Sequence, residues 1–162
     1  MRTQLFQIPD GNAGLDTIIR ILNELAAIYG QSPVIRRKAL SLLNDLGQDD
    51  QLKQCQLLTA FVRDNLTYVN DPVAVEDITS PVQLLKQFET TGQMMGDCDD
   101  HCLMLSALLQ SIGRDCVIAG VKMDGPEFNH VIVLALVNGQ EYSLDPCAKF
   151  SAAPVYTEFL LP

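Results

Sequence analysis

From Cys102 to Ile112 the chain carries Cys102, Leu103, Met104, Leu105, Ala107, Leu108, Leu109 and Ile112, with Gly113 as a stop. A helix over this stretch is apolar on nearly all sides, has no face for water, and must lie at the centre of the fold. Upstream, apolar residues at helical spacing from Leu15 to Tyr29, ended by Gly30, predict a first helix. Ser32-Pro33 opens a second that ends near Gly47, and Asp49 or Asp50 caps a third through Val62. Leu66 to Val69 is at most a short strand, Ser80-Pro81 starts a fourth helix through Phe88, and Thr90 to Gly96 reads as a flexible loop. After the central helix, Cys116 to Val121 and Val131 to Val137 read as strands. Asn138-Gly139 is a strong hairpin signal that returns the chain through Glu141 to Asp145. Helices followed by an antiparallel sheet make an α+β layout with the central helix packed on the sheet.

At 162 residues, 48% of them hydrophobic, the chain is long and apolar enough to bury a core as one domain over 1–162. Its helical part is 1–66 and its core 67–162. The net charge of −9 excludes nonspecific attraction to nucleic acid or to an anionic membrane. The one basic run, Arg36-Arg37-Lys38, is expected to be a solvated helix face. Five cysteines, no leader-like start over Met1 to Asp10 and no run of membrane-spanning length predict a soluble, cytoplasmic protein.

Cys98 stands at the start of the central helix, inside Gly96-Asp97-Cys98-Asp99-Asp100. Free backbone N–H groups and the positive end of the helix dipole favour thiolate there, by roughly 0.3–1 kcal/mol. A carboxylate about 8 Å away opposes it by about 0.5–2 kcal/mol, and three aspartates surround this cysteine. A reactive thiol therefore needs a cationic partner, and the chain has only His101 and His130. A two-residue Asn138-Gly139 turn pairs Val137 with Gln140. Counting back, Ile132 faces Asp145 and His130 faces Cys147. His130 and Asp145 then lie diagonally on one face of the sheet, about 7–8 Å apart at the backbone. A carboxylate holding one ring nitrogen leaves the other to face a thiol, the logic of a catalytic triad.

The stretch Gly-Asp-Cys-Asp-Asp-His-Cys-Leu-Met-Leu-Ser-Ala-Leu-Leu-Gln-Ser-Ile-Gly from Gly96 to Gly113, then Asn129-His130-Val131, then Ser143-Leu144-Asp145-Pro146, resembles the transglutaminase-like superfamily of papain-related cysteine enzymes. The pattern covers Tyr68 to Cys147. The nearest resemblance is to small bacteriophage and prophage members, which share a helical N-terminal region and a segment like Tyr68 to Pro72. It implies Cys98 as nucleophile, His130 as base and Asp145 as its orienter, with no cofactor. A protein or peptide would be the substrate, in a bacterial host cell or a virion, with phage structural proteins as partners. The reaction stays open, since members include cross-linkers, peptidases, amidases and inactive proteins. Hydrolysis of a peptide or amide bond is the first choice. Tyr142 stands where the wider family often has tryptophan, and the chain has none, which argues against cross-linking. The backbone N–H of Cys98 is the first oxyanion donor; Tyr68, Gln93 and Asn129, in that order, are candidates for the second.

Plainer readings compete. Cys55, Cys116 and Cys147 are core filler, although Cys147 is a candidate for a disulfide with Cys98 on oxidation. Cys98, His101 and Cys102 share a helix face and suggest a zinc-binding module, without a second ligand pair; otherwise His101 is a boundary residue. Asp99 and Asp100 stabilise the first helical turn. A third alternative is a non-catalytic virion or assembly component on the same fold.

Overall fold

The computed structural model describes residues 12–44, 46–47, 49–71, 77–123, 126–147 and 158–162. In chain order these form α1 (Asn12–Gly30), α2 (Pro33–Leu42), α3 (Gln51–Asn65), β1 (Leu66–Tyr68), α4 (Pro81–Thr91) and β2 (Met94–Gly96). There follow α5 (Cys98–Ser111), β3 (Cys116–Val121), β4 (His130–Val137), β5 (Gln140–Leu144) and β6 (Phe159–Leu160).

The all-round apolar helix is α5, and it is central for the reason its composition demands. Leu103, Met104, Leu105, Ala107, Leu108 and Leu109 are wholly buried, packed by α1, α2 and α3 on one side and by β3 and β4 on the other. The main sheet is antiparallel in the order β5-β4-β3-β6. Val131, Val133, Ala135 and Val137 of β4 join the main core, while Ile132 and Leu134 join a smaller cluster on the other face with Ala119 and Val121. That two-sided burial explains why β4 is apolar at both parities. The β4–β5 turn has Asn138 at φ 51° and Gly139 at φ 80°, the pair of positive values a type I′ hairpin needs. It sets Val137 opposite Gln140, and the ladder runs back to Val133 opposite Leu144.

Several local expectations are corrected. Thr90 to Gly96 is not all loop: Met94 is wholly buried, and Met94–Gly96 pairs in parallel with Leu66–Tyr68. Helix α2 stops at Leu42, short of Gly47, and neither Ser32 nor Asp50 makes a side-chain cap bond, whereas Ser80 accepts from the Gln83 N–H. The basic run is solvated as expected, with Arg36 and Arg37 exposed, and it also makes two contacts. The Arg36 guanidinium donates to the Ser111 carbonyl at the C-terminal end of α5, and the Lys38 ammonium lies 4.7 Å from the ring centres of both Phe61 and Phe88. The helix dipole and the aromatic faces favour a cation at each place.

One long-range contact ties α1 to the sheet. The Asn23 amide donates to the Ile118 carbonyl at 2.9 Å and accepts from the Ile118 N–H at 2.9 Å, covering β3 where β6 does not reach. A side chain thus satisfies a strand edge that would otherwise invite pairing with another chain.

Candidate functional site

The first turn of α5 is built by a reciprocal cap. Asp97, the N-cap, accepts from the Asp99 N–H at 3.1 Å, while Asp100, three residues on, accepts from the Asp97 N–H. Asp100 Oδ1 accepts from the Thr79 N–H at 2.7 Å, which fastens the approach to α4 onto the start of α5. Gly96 is required by this packing: a Cβ there would lie 2.3 Å from Asp100 Oδ2 and 2.6 Å from Asp100 Cβ. Gly96→Ala is expected to lower stability by about 1–3 kcal/mol, read as a lower denaturation midpoint.

This cap fixes Cys98 as the first helical residue, half-buried, with its thiol donating to Asp99 Oδ1 at 3.6 Å. The Val131 backbone amide also hydrogen-bonds to the sulfur, and one turn along α5 the Cys102 thiol donates to the Val131 carbonyl at 3.2 Å. The start of β4 is thereby pinned to the start of α5, and His130 is the residue before Val131. His130 and Asp145 are both buried, with His130 Nε2 3.1 Å from Asp145 Oδ2. The remaining carboxylate oxygen of Asp145 accepts from the Cys147 N–H at 2.9 Å. Oriented in this way, the carboxylate leaves Nδ1 of His130 as the nitrogen available for other work.

Burial raises the Cys98 thiol well above an ordinary cysteine, and the Asp99 and Asp97 carboxylates add to it. The resting sulfur is therefore a thiol, with helix-dipole stabilisation outweighed. The Tyr68 side chain on β1 hydrogen-bonds to Cys98, and partial burial with the nearby Cys98 and Asp97 raises its phenol further above the usual range. Gln93 is exposed, its amide oxygen 3.5 Å from Thr67 Oγ1, and the exposed Asn129 accepts from the Met123 N–H at 2.9 Å.

His101 departs from its expected boundary position. It is 2% exposed, with Nδ1 2.6 Å from the Asp97 carbonyl oxygen and Nε2 3.0 Å from that of Leu66, so it braces α5 against β1. Its ring also packs 5.9 Å from that of Tyr68. Burial draws its pKa down, opposed by the two carbonyls. His101 lies between the Asp97 and Leu66 carbonyl oxygens, the Cys102 thiol donates to Val131, and among the described residues these groups do not converge with Cys98, so the Cys98-His101-Cys102 zinc reading is corrected. Among the described residues the donor groups that do converge are His130, Asp145 and Cys147, and separately Asp97, Cys98 and Asp99. The expected stabilising role of Asp100 in the first turn holds, and its three-residue spacing from Asp97 is the signal for the reciprocal cap. Nothing local marks His101 for burial.

A cysteine at the N-terminus of a central helix, packed on an antiparallel sheet that carries a histidine and an aspartate, makes an α+β fold shared with solved structures. The chain is similar to "a Putative Cysteine Protease from Cytophaga hutchinsonii", with a TM-score of 0.56 and 18% identity over 74% of this chain. It is also similar to "a Putative Protease from Parabacteroides distasonis ATCC 8503", with a TM-score of 0.61 and 19% identity over 90% of this chain. It spans 38% and 27% of the lengths of those two chains. No family model and no curated protein matches the sequence. Among the described residues no helix is long and apolar enough to cross a membrane.

Proposed function

We propose that this chain is a cysteine-dependent acyl-transfer enzyme that hydrolyses peptide or amide bonds, with Cys98 as nucleophile, His130 as acid and base, and Asp145 orienting His130. The observation that carries this reading is the buried His130–Asp145 hydrogen bond of 3.1 Å, at the start of a strand whose next residue, Val131, hydrogen-bonds to Cys98 and Cys102 through its backbone. In the proposed reaction His130 Nδ1 takes the thiol proton as sulfur attacks the carbonyl carbon. The Cys98 N–H and the Tyr68 hydroxyl steady the oxyanion. His130 then passes its proton to the leaving amine, and water hydrolyses the thioester.

The substrate class is a protein or peptide, and the setting proposed is a bacteriophage or prophage protein acting in the bacterial cytoplasm or on the virion. Wild-type and Cys98→Ala proteins screened against peptide and amide libraries test the reaction: turnover present in the first and abolished in the second supports it. Turnover that survives Cys98→Ala removes Cys98 from the chemistry. A second reading, a non-catalytic virion or assembly component, draws on the burial and the two carboxylates that keep Cys98 protonated. On that reading Cys98→Ser leaves both particle assembly and every processing event intact.

A further inference from the structure

We propose that His130, Asp145 and Cys147 form a zinc site that silences His130 when occupied. The three donor atoms lie within 4.8 Å of one another, and the imidazole and carboxylate are already 3.1 Å apart. Around a tetrahedral zinc, nitrogen and oxygen ligands at about 2.0–2.2 Å and sulfur at about 2.3 Å leave neighbouring donors roughly 3.3–3.7 Å apart. The nitrogen–oxygen pair is therefore close to its bound spacing, and the sulfur has about 1 Å at most to close. Cys147 is held in the turn after β5 by its own N–H on Asp145, so thiolate and carboxylate arrive from one rigid corner and imidazole from the neighbouring strand. Imidazole, carboxylate and thiolate together suit zinc, and three protein ligands leave a fourth position for water. The other cluster, Asp97, Cys98 and Asp99, has no imidazole, and Asp97 already accepts from the Asp99 N–H.

Binding displaces the Cys147 thiol proton and moves the imidazole proton from Nε2 to Nδ1, so one proton leaves per zinc. With Nδ1 protonated and Nε2 on the metal, His130 has no lone pair for the Cys98 proton. This consequence rests on the catalytic reading above; the metal site itself does not.

The test uses chelator-stripped chain titrated with zinc against a chromophoric chelator, and with cobalt for its visible spectrum. One zinc per chain is expected, weakened at least about 100-fold by Cys147→Ser, since even residues behind the ligands cost about 10–100-fold. Cobalt should show a thiolate charge-transfer band that Cys147→Ser abolishes and Cys98→Ser keeps. Circular dichroism confirms folding, and His130→Gln should weaken binding in the same way. Zinc should slow alkylation of Cys98 in the wild type but not in Cys147→Ser, each compared with its own metal-free rate. No zinc bound at micromolar concentration, or affinity indifferent to Cys147→Ser, overturns the proposal; so does a cobalt band lost only in Cys98→Ser. If zinc binds as expected while Cys98 alkylation ignores His130→Ala, the metal site stands and the enzyme reading falls.

Discussion

Replacing His130 with alanine is expected to slow alkylation of Cys98 by about 10²–10⁴-fold near neutral pH, the range that a positioned general base contributes. The size follows from the state of the sulfur. A free cysteine is a few per cent thiolate at pH 7, and burial with Asp99 and Asp97 holds Cys98 far below that fraction. Almost no sulfur is ready to react, so its reactivity depends on a base that removes the proton during attack. Asp145→Asn should slow the same step by a smaller factor, because it leaves the base in place but weakens the preference for the tautomer that exposes Nδ1. Mass spectrometry of the labelled peptides locates the alkylated cysteine, and the rate is followed across pH. The deficit of His130→Ala should narrow as pH rises, since hydroxide increasingly does the work of the missing imidazole. A constant deficit at all pH values would point to altered access instead of lost base catalysis, and no deficit at all removes His130 from the chemistry.

The contact between His130 and Asp145 was legible in the sequence because it depends on counting. The Asn138-Gly139 turn sets one register, a register sets faces, and two residues fifteen apart fall together without any knowledge of the rest of the fold. The central position of α5 was legible for a similar reason: its apolar residues leave only one environment open to it. What escaped the sequence reading depends on partners distant in the chain. Strand β2 exists because Met94 finds Leu66, and β6 because two residues near the end find Gly120 and Val121. His101 is buried between two carbonyl oxygens, one of them thirty-five residues away, and its single ring N–H can donate to one of them. The Val131 peptide that joins Cys98 and Cys102 to the start of β4 is ordinary backbone with no residue type to announce it. The His130–Asp145 pair was thus visible, while the backbone contacts that join α5 to β4 were not.

The cap at the start of α5 makes a second large effect calculable, in stability and not in rate. Asp100 is 2% exposed, and burial pushes its carboxyl up to about 8, with the Thr79 and Asp97 N–H groups opposing the rise. An unfolded aspartate ionises near pH 3.8, so between about pH 4 and 8 the folded chain holds a proton that the unfolded chain has released. The unfolded state binds fewer protons, so stability must fall as pH rises through this window, the reverse of a salt-bridged carboxylate. Four units at about 1.4 kcal/mol each bring the full effect to the order of 5 kcal/mol. His101 acts with the opposite sign below about pH 6.5, because its depressed pKa makes the folded chain the poorer proton binder there. Wild-type denaturation curves alone therefore mix the two groups, and the comparison that isolates Asp100 is with Asp100→Asn. Asparagine keeps an oxygen for Thr79 and cannot ionise, while its NH2 group cannot accept from the Asp97 N–H; that cost is the same at every pH, so the stability of the variant relative to the wild type should rise by several kcal/mol between about pH 4 and pH 9. If the difference between their midpoints stays constant across that range, Asp100 is already ionised in the folded protein at pH 5, and the cap at the foot of α5 carries a charge that its burial does not expel.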